Sequence, residues 1–152
     1  MAPVIEYRRE FEFAVTPSQL WATLDDSGGY ERWWPWLKQF RLEGGSLKTG
    51  AVMHGVVVPP LPYRMRVDIE LLCCRRPRVI DAAVHGDLEG IASLRLHRSG
   101  AGTLAEVAWT LQMMQRPMRI ASAVARPLLV RAHDFVVDMT VAGFRRHLEG
   151  EI

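Results

Sequence analysis

Apolar and charged residues alternate along the first segment of the chain, VIEYRREFEF. Ile5, Tyr7, Phe11 and Phe13 fall on one face, and most of the charged residues fall on the other. A period of two with one charged face predicts a half-buried strand of an antiparallel sheet. Arg9 breaks the pattern, because it is a charge on the apolar face. It either reaches water at a strand end or bulge, or it anchors a ligand carboxylate or phenolate, which a guanidinium binds with two hydrogen bonds.

The next segment, TPSQLWATLDD, predicts a short helix. Thr16 is a suitable N-cap and Pro17 suits the first helical position. Leu20, Trp21 and Leu24 then lie on one side of the helix, which is the spacing of a buried face. The glycines that follow this segment end the helix.

Three of the five tryptophans stand together in the segment YERWWPWL. Pro35 limits a helix there to a turn or two, because the residue before a proline is pushed out of the helical region. Side chains of this size are expected in the hydrophobic core. A ring that closes one end of an interior cavity packs in the core and also forms part of the cavity wall. We expect Trp33 or Trp34 to line such a space, and Trp36 to pack at the start of the next strand.

From Leu37 to Met114 the pattern is nearly all strand. Two strands flank the turn at Gly44–Ser46, and the prolines of PPLP interrupt the sheet after them. YRMRVDIELL alternates cleanly, two further strands turn near Gly86–Asp87, and TLAEVAWTLQMM is the last alternating segment. Seven strands in meander order, with a clean inside and outside, predict one strongly curved antiparallel sheet.

From Met118 to Leu148 the spacing becomes helical. Small and apolar residues recur there at steps of four and three: Ala125, Leu129, Ala132, Val136, Met139 and Gly143. Charged residues lie on the opposite side, so the segment predicts an amphipathic helix about 45 Å long at 1.5 Å per residue. Pro127 is expected to kink or restart this helix. Because the stripe that faces the sheet is rich in small residues, we expect a cavity between helix and sheet.

Composition and charge narrow the function. The 152 residues suit a single domain that spans 1–152, with 49% hydrophobic and 24% charged residues. A formal net charge of +2 argues against a nucleic-acid partner, which needs a concentrated basic face. No apolar run reaches the ~18 residues of a membrane span. Cys73 and Cys74 are adjacent and point to opposite faces of a strand, so we expect free thiols and a cytoplasmic location.

The order of a strand, two short helices, six strands and a long C-terminal helix resembles the helix-grip fold of the START/Bet v 1-like (SRPBCC) superfamily. Within it, the chain is similar to the polyketide cyclase/dehydrase and lipid-transport group. Four segments carry this resemblance, which covers essentially the whole chain: VTPSQLWATLDD, YERWWPWL, HGDLEGIASLRL and HDFVVDMTVAGFRRHL. The resemblance implies an apolar cavity between the sheet and the long helix, an α+β fold, and either ligand carriage or cyclisation of aromatic polyketides.

Two of the five histidines are candidates for the cavity. His54 lies in a strand that is apolar on both faces, and His133 flanks the inward stripe of the long helix. The other three are expected on the surface: His85, His97 and His147. No histidine pair has metal-ligand spacing backed by a third ligand, so we expect neither a metal nor another cofactor.

Two function classes follow. The first is a protein that binds a small hydrophobic molecule, whether aromatic, polyketide-like or lipid, without chemistry. The second is an aromatic polyketide cyclase/dehydrase, which needs one or two polar groups in the cavity to polarise a carbonyl and move a proton. A protein-interaction module with an exposed apolar groove is a weaker third reading.

The residues assigned to the cavity follow from the inward faces of the predicted elements. The polar candidates are Arg9, His54, Tyr63 and His133. The other predicted lining residues are Trp33, Trp34, Met65, Val67, Leu94, Trp109, Leu111, Met113, Leu129, Ala132 and Val136. Because few polar groups can be assigned inward, the sequence favours binding over catalysis, in a monomer or a homodimer.

Overall fold

The computed structural model describes residues 4–59, 64–114 and 116–148, the last of these as backbone only up to residue 129. The N-terminal elements are β1 (Val4–Phe13), α1 (Pro17–Asp25), a 3-10 turn (Ser27–Gly29) and α2 (Tyr30–Trp33). The remaining elements are β2 (Leu37–Glu43), β3 (Val52–Val57), β4 (Met65–Arg75), β5 (Val79–Gly86), β6 (Leu88–Ser99), β7 (Gly102–Met113) and α3 (Arg116–Leu148). The predicted fold class and element order are confirmed.

All seven strands form one antiparallel sheet in the order β1-β7-β6-β5-β4-β3-β2. Strands β2 to β7 therefore form a meander, and β1 joins it at the far edge by pairing with β7. Register shifts in β2 and in β4 interrupt the ladder, and such bulges increase the local bend and twist of a strand. The resulting sheet has one concave face, which α3 covers.

The turn predicted at Gly86–Asp87 is confirmed, and its geometry requires the glycine. Gly86 has a φ of 113°, and a Cβ there would lie 2.4 Å from the carbonyl oxygen of Arg66. The Asp87 carboxylate accepts a hydrogen bond from the Arg66 amide at 2.7 Å. The Asp87 carbonyl accepts another from the Met114 amide at 2.9 Å. This turn thereby ties the ends of β4, β5 and β7 together.

Helix α1 begins at Pro17 with Thr16 as its N-cap, as the sequence predicted. The Thr16 hydroxyl accepts from the Gln19 amide at 3.2 Å, and the Gln19 side chain accepts from the Thr16 amide at 2.9 Å. This reciprocal pair is a capping box. It fixes the helix so that Leu20 and Trp21 are buried against the sheet.

Helix α3 is one element from Arg116 to Leu148, so it does not restart at Pro127. The alternative expectation, a kink at Pro127, stays a prediction. Proline keeps a helical φ and removes one backbone hydrogen bond, and a helix of 33 residues retains many others. Among the helices in the described part of the chain, none is both long and apolar enough to cross a membrane.

The second half of α3 is held in place by contacts with α2 and β1. The indole N–H of Trp34 donates to the Thr140 carbonyl at 2.9 Å. The Arg145 guanidinium donates to the Glu12 carbonyl at 2.6 Å. Gly143 lies so close to α2 that a Cβ on it would be 2.3 Å from the Trp33 carbonyl oxygen. These contacts close one end of the space between the helix and the sheet.

Candidate functional site

A cavity of about 560 Å³ lies between the concave face of the sheet and α3. Its volume is within the range of ~300–1,000 Å³ that is typical of small-molecule sites. The strands contribute alternate residues to its wall because successive side chains of a strand point to opposite faces. Aromatic side chains form much of the wall: Phe11, Phe13, Tyr30, Trp34, Trp36, Phe40, Trp109 and Phe144.

Most of the residues predicted to line the cavity do so. They are Trp34, His54, Met65, Val67, Leu94, Trp109, Leu111, Met113, Ala132, His133 and Val136. Tyr63 and the side chain of Leu129 lie outside the described residues. Val137, Val141 and Phe144 face the cavity and Met139 does not. The face of α3 that lines the cavity is therefore rotated slightly from the predicted one.

The tryptophan assignment needs a correction. Trp34 and Trp36 line the cavity and Trp33 does not. Trp34 has an extended backbone, with a φ of −125° and a ψ of 97°. Residues two apart in an extended segment share a face, and the rings of Trp34 and Trp36 accordingly stack at 5.7 Å with planes 16° apart. Trp33 ends α2 and instead stacks on His147 at 4.2 Å.

Arg9 is not among the described residues of the cavity wall, so of the two alternatives for its side chain, reaching water is confirmed and lining the cavity is wrong. Its side chain is exposed, and its guanidinium lies over the ring of Phe11, 5.1 Å from the ring centroid. This is possible because β1 is an edge strand, so a long side chain can reach water over the edge. Burial raises the pKa of the neighbouring Tyr7, and the positive charge of Arg9 opposes this effect.

His54 borders the cavity, but its imidazole ring lies on the outer face of the sheet. Its Nδ1 is 2.5 Å from Asp68 Oδ1 and its Nε2 is 2.7 Å from Glu43 Oε2. Register explains this, because His54 pairs with Asp68 whereas Met53 pairs with the inward Ile69. The hydrogen bonds to Glu43 and then Asp68 raise the pKa of His54, and the bond to His54 lowers the pKa of Glu43. A role for this imidazole inside the cavity is therefore a wrong prediction.

His133 is the imidazole on the cavity side, and it is held at both nitrogens. The indole N–H of Trp109 donates to His133 Nε2 at 3.1 Å. Because an indole nitrogen can only donate, Nε2 is the acceptor and the neutral ring carries its hydrogen on Nδ1. That nitrogen is 3.2 Å from Asp134 Oδ1. The contacts with Trp109 and Asp134 together fix the tautomer and the orientation of the His133 ring.

Tyr7 completes this cluster, and sequence reasoning did not single it out. Its ring stacks on Trp109 at 4.6 Å and meets His133 edge-on at 5.0 Å. Tyr7 and Trp109 are direct partners in the ladder between β1 and β7. The signal was present in the sequence, because Tyr7 lies on the apolar face of the first strand. Its partner, however, is about 100 residues away and depends on the strand register.

The other polar atoms of the wall are largely engaged by the protein itself. The Thr140 hydroxyl donates to the Val136 carbonyl at 2.7 Å, and the Tyr30 hydroxyl donates to the Leu24 carbonyl. Within the described part of the chain, the buried indole nitrogen of Trp36 has no hydrogen-bond partner. Among the described residues that line the cavity there is no lysine, arginine, aspartate or glutamate. Within the same described part, no cluster of three metal-ligating side chains is present.

Solved structures share this architecture at low sequence identity. The TTHA0849 protein of Thermus thermophilus is similar with a TM-score of 0.75 and 15% identity, over 97% of this chain and 99% of that one. Ara h 8.0201 has a TM-score of 0.65 and 17% identity, over 98% and 97% of the two chains.

The di-domain aromatase/cyclase StfQ of the steffimycin biosynthetic pathway has a TM-score of 0.73 and 11% identity, over 97% of this chain and 52% of StfQ. At these identities the similarity establishes the fold alone. No curated protein matches the chain in sequence. The model of one family, polyketide cyclase/dehydrase and lipid transport, matches residues 4–149. With the helix-grip architecture in place, this match over nearly its full length means that the chain belongs to that family.

Proposed function

We propose that this protein binds a small hydrophobic molecule, such as an aromatic, polyketide-like or lipid compound, in the cavity between the sheet and α3. The observation that carries the proposal is a cavity of about 560 Å³ whose described wall lacks any acidic or strongly basic side chain. Apolar surface that enters such a space leaves water, which is worth about 25 cal/mol per Å². The described wall offers few competing polar interactions, so this burial is the main driving force.

The wall also supports an aromatic ligand in particular. Trp34 and Trp36 stack on each other, and Trp109 stacks on Tyr7, so flat faces are already arranged on two sides of the cavity. Aromatic rings prefer offset-stacked or edge-to-face contacts, each worth about 0.5–1.5 kcal/mol beyond the buried area. A molecule with fused rings uses these contacts better than a flexible chain does.

A cyclase/dehydrase activity is the second candidate, and His133 is the observation that favours it. It places an imidazole on the wall of the cavity, where general acid–base chemistry on a carbonyl substrate would need one. Both ring nitrogens, however, are engaged by Trp109 and Asp134. A general base needs a free lone pair, so the ligand-free geometry supports binding more strongly than catalysis.

The experiment that tests the proposal begins with the protein as purified from its source cells. Native mass spectrometry of the protein, followed by extraction, should detect a hydrophobic molecule that co-purifies. In parallel, naphthalene and larger neutral fused-ring compounds should raise the melting temperature, because a ligand at 100 times its Kd adds about 2.7 kcal/mol of stability. If no compound co-purifies and none of the series shifts the melting temperature, the proposed function is wrong.

A further inference from the structure

The hydrogen bond between Trp109 and His133 joins the sheet to α3 on the cavity wall. Trp109 belongs to β7 and His133 to α3, and both side chains line the cavity. The bond runs from an indole N–H to an imidazole lone pair over 3.1 Å. The side chain of His133 is 15% exposed. The wall therefore holds one donor and one acceptor, paired with each other, in surroundings that are otherwise almost entirely apolar.

This pair selects among the polar groups that a ligand can carry. A hydroxyl group both accepts and donates, so it can insert between the two side chains, accept from the Trp109 N–H and donate to His133 Nε2. One protein hydrogen bond is then replaced by two bonds to the ligand, once the nitrogens have separated to about 4.5 Å. A carbonyl group can only accept, and its insertion would leave the His133 lone pair without a donor.

Charged groups of a ligand fit poorly between Trp109 and His133. A carboxylate can accept from Trp109, but its negative charge would face the lone pair of His133, and no cation is among the described wall residues. A buried charge without a partner costs several kcal/mol. An ammonium group could donate to His133, but it would confront the Trp109 N–H. Of these groups, a hydroxyl is the one that satisfies both side chains.

We infer that the cavity takes a neutral molecule whose apolar, ring-containing body carries a hydroxyl group, and that Trp109 and His133 are the residues that recognise this hydroxyl. The inference rests on the proposed function and adds the polar group of the ligand to it. Tyr7 and Asp134 act through the pair as positioning residues. Tyr7 holds the plane of the indole by stacking, and Asp134 holds the hydrogen of His133 on Nδ1.

The test compares three probes of nearly equal size: naphthalene, 2-naphthol and 2-naphthoate. Isothermal calorimetry with the wild-type protein should give 2-naphthol an affinity about tenfold higher than that of naphthalene, the effect of one net hydrogen bond. The carboxylate 2-naphthoate should bind at least tenfold more weakly than naphthalene.

Three variants test whether Trp109 and His133 cause the preference for 2-naphthol over naphthalene. Trp109→Phe removes the N–H but keeps a ring, and His133→Leu removes the acceptor. Each should reduce the preference for 2-naphthol over naphthalene to less than threefold while naphthalene still binds. Trp33→Phe is the matched control, because it makes the same chemical change at a tryptophan that does not line the cavity, and it should keep the tenfold preference.

The possible outcomes separate the inference from the proposed function. If none of the three probes binds, the proposed function and this inference both fail. If naphthalene binds and 2-naphthol gains nothing over it, only the inference fails. It also fails if the preference persists in both Trp109→Phe and His133→Leu, each first confirmed to be folded by its thermal unfolding transition.

Discussion

At the scale of single residues, the histidines divide by the face of the sheet that they occupy. His54, His85 and His97 lie on the outer face, where each is within 4 Å of at least one carboxylate. His133 lies on the inner side, and its acceptor nitrogen is paired with an indole. The same residue type thus contacts carboxylates on the outer face and, by our inference, recognises a ligand on the inner side.

His54 should titrate above the ordinary histidine value of about 6.5. Its hydrogen bond to Glu43 is the largest cause of the raised pKa, and the bond to Asp68 is the second. A titration followed by nuclear magnetic resonance should therefore find the midpoint of His54 above 6.5 and find it lowered in Glu43→Gln. A midpoint at or below 6.5 in the wild-type protein would contradict the observed pairing.

The same pKa sets how the stability contributed by His54 depends on pH. Because the pKa is higher in the folded state, the contribution is fully present below about pH 6.5 and is lost as the pH rises through the folded-state pKa. The stability difference between the wild-type protein and His54→Gln should therefore be larger at pH 6 than at pH 8.5. Denaturant unfolding at the two pH values measures it, and a difference that grows with pH would refute the assignment.

The sequence predicted the structural role of a residue well when that role depends on groups close to it. Thr16 caps a helix and Gly86 makes a turn because of groups within a few residues or at the adjacent strand end. The face that His54 occupies was not predictable in the same way, because its strand is apolar on both sides. Only the pairing with the clearly alternating β4, which places His54 opposite Asp68, decides it.

At the scale of elements, the position of α3 depends on its close approach to α2. Gly143 allows this approach, because no side chain separates the helix from the Trp33 carbonyl. Trp34 then reaches the Thr140 carbonyl with its indole N–H. The sequence predicted that α2 would be short, and it predicted a small residue in the helix stripe. It did not reveal that the two features meet, since they are about 110 residues apart in the chain.

Gly143→Ala should destabilise the protein even though alanine is the better helix former by about 1 kcal/mol. The added Cβ would lie 2.3 Å from the Trp33 carbonyl oxygen, so α2 or α3 must move. We expect the free energy of unfolding to fall by about 1–3 kcal/mol, as measured by denaturant titration.

The matched control for this change is Gly28→Ala. A Cβ on Gly28 meets nothing within 4 Å, so this variant should retain the stability of the wild-type protein. Equal or higher stability of Gly143→Ala would mean that α3 does not lie against α2 as described. The comparison therefore tests the helix contact rather than the general effect of an added methyl group.

At the scale of the whole molecule, the sheet curves around a space that its side chains do not fill. Small residues on the concave face contribute to this, among them Ala82, Ala92 and Ala105. The alternation of apolar residues predicted which face is concave, because β1, β4 and β7 each show a clear period of two. The size of the space was not predictable, because it depends on strand register and on the distance of α3 from the sheet.

Ala92→Leu should occupy part of this space. Ala92 lines the cavity and is only partly buried, so a larger side chain there gains contacts without displacing neighbours. The variant should unfold at higher denaturant concentration, with a gain of about 1–2 kcal/mol at ~0.8 kcal/mol per buried CH₂. Its affinity for naphthalene in calorimetry should fall at least tenfold.

Ala83→Leu makes the same chemical change on the opposite face. Ala83 pairs with the exposed Ile91 and does not line the cavity. It should leave the naphthalene affinity unchanged. Similar losses of affinity in the two variants, or a loss in neither, would place the naphthalene site outside the described cavity.

The tryptophans also make the molecule its own optical probe. Trp34, Trp36 and Trp109 border the cavity, whereas Trp21 and Trp33 do not. The indoles of Trp34 and Trp36 lie nearly parallel at 5.7 Å, close enough for their excited states to couple and give a paired signal in near-ultraviolet circular dichroism. A molecule bound against these rings would change their emission, so occupancy of the cavity can be followed without any label.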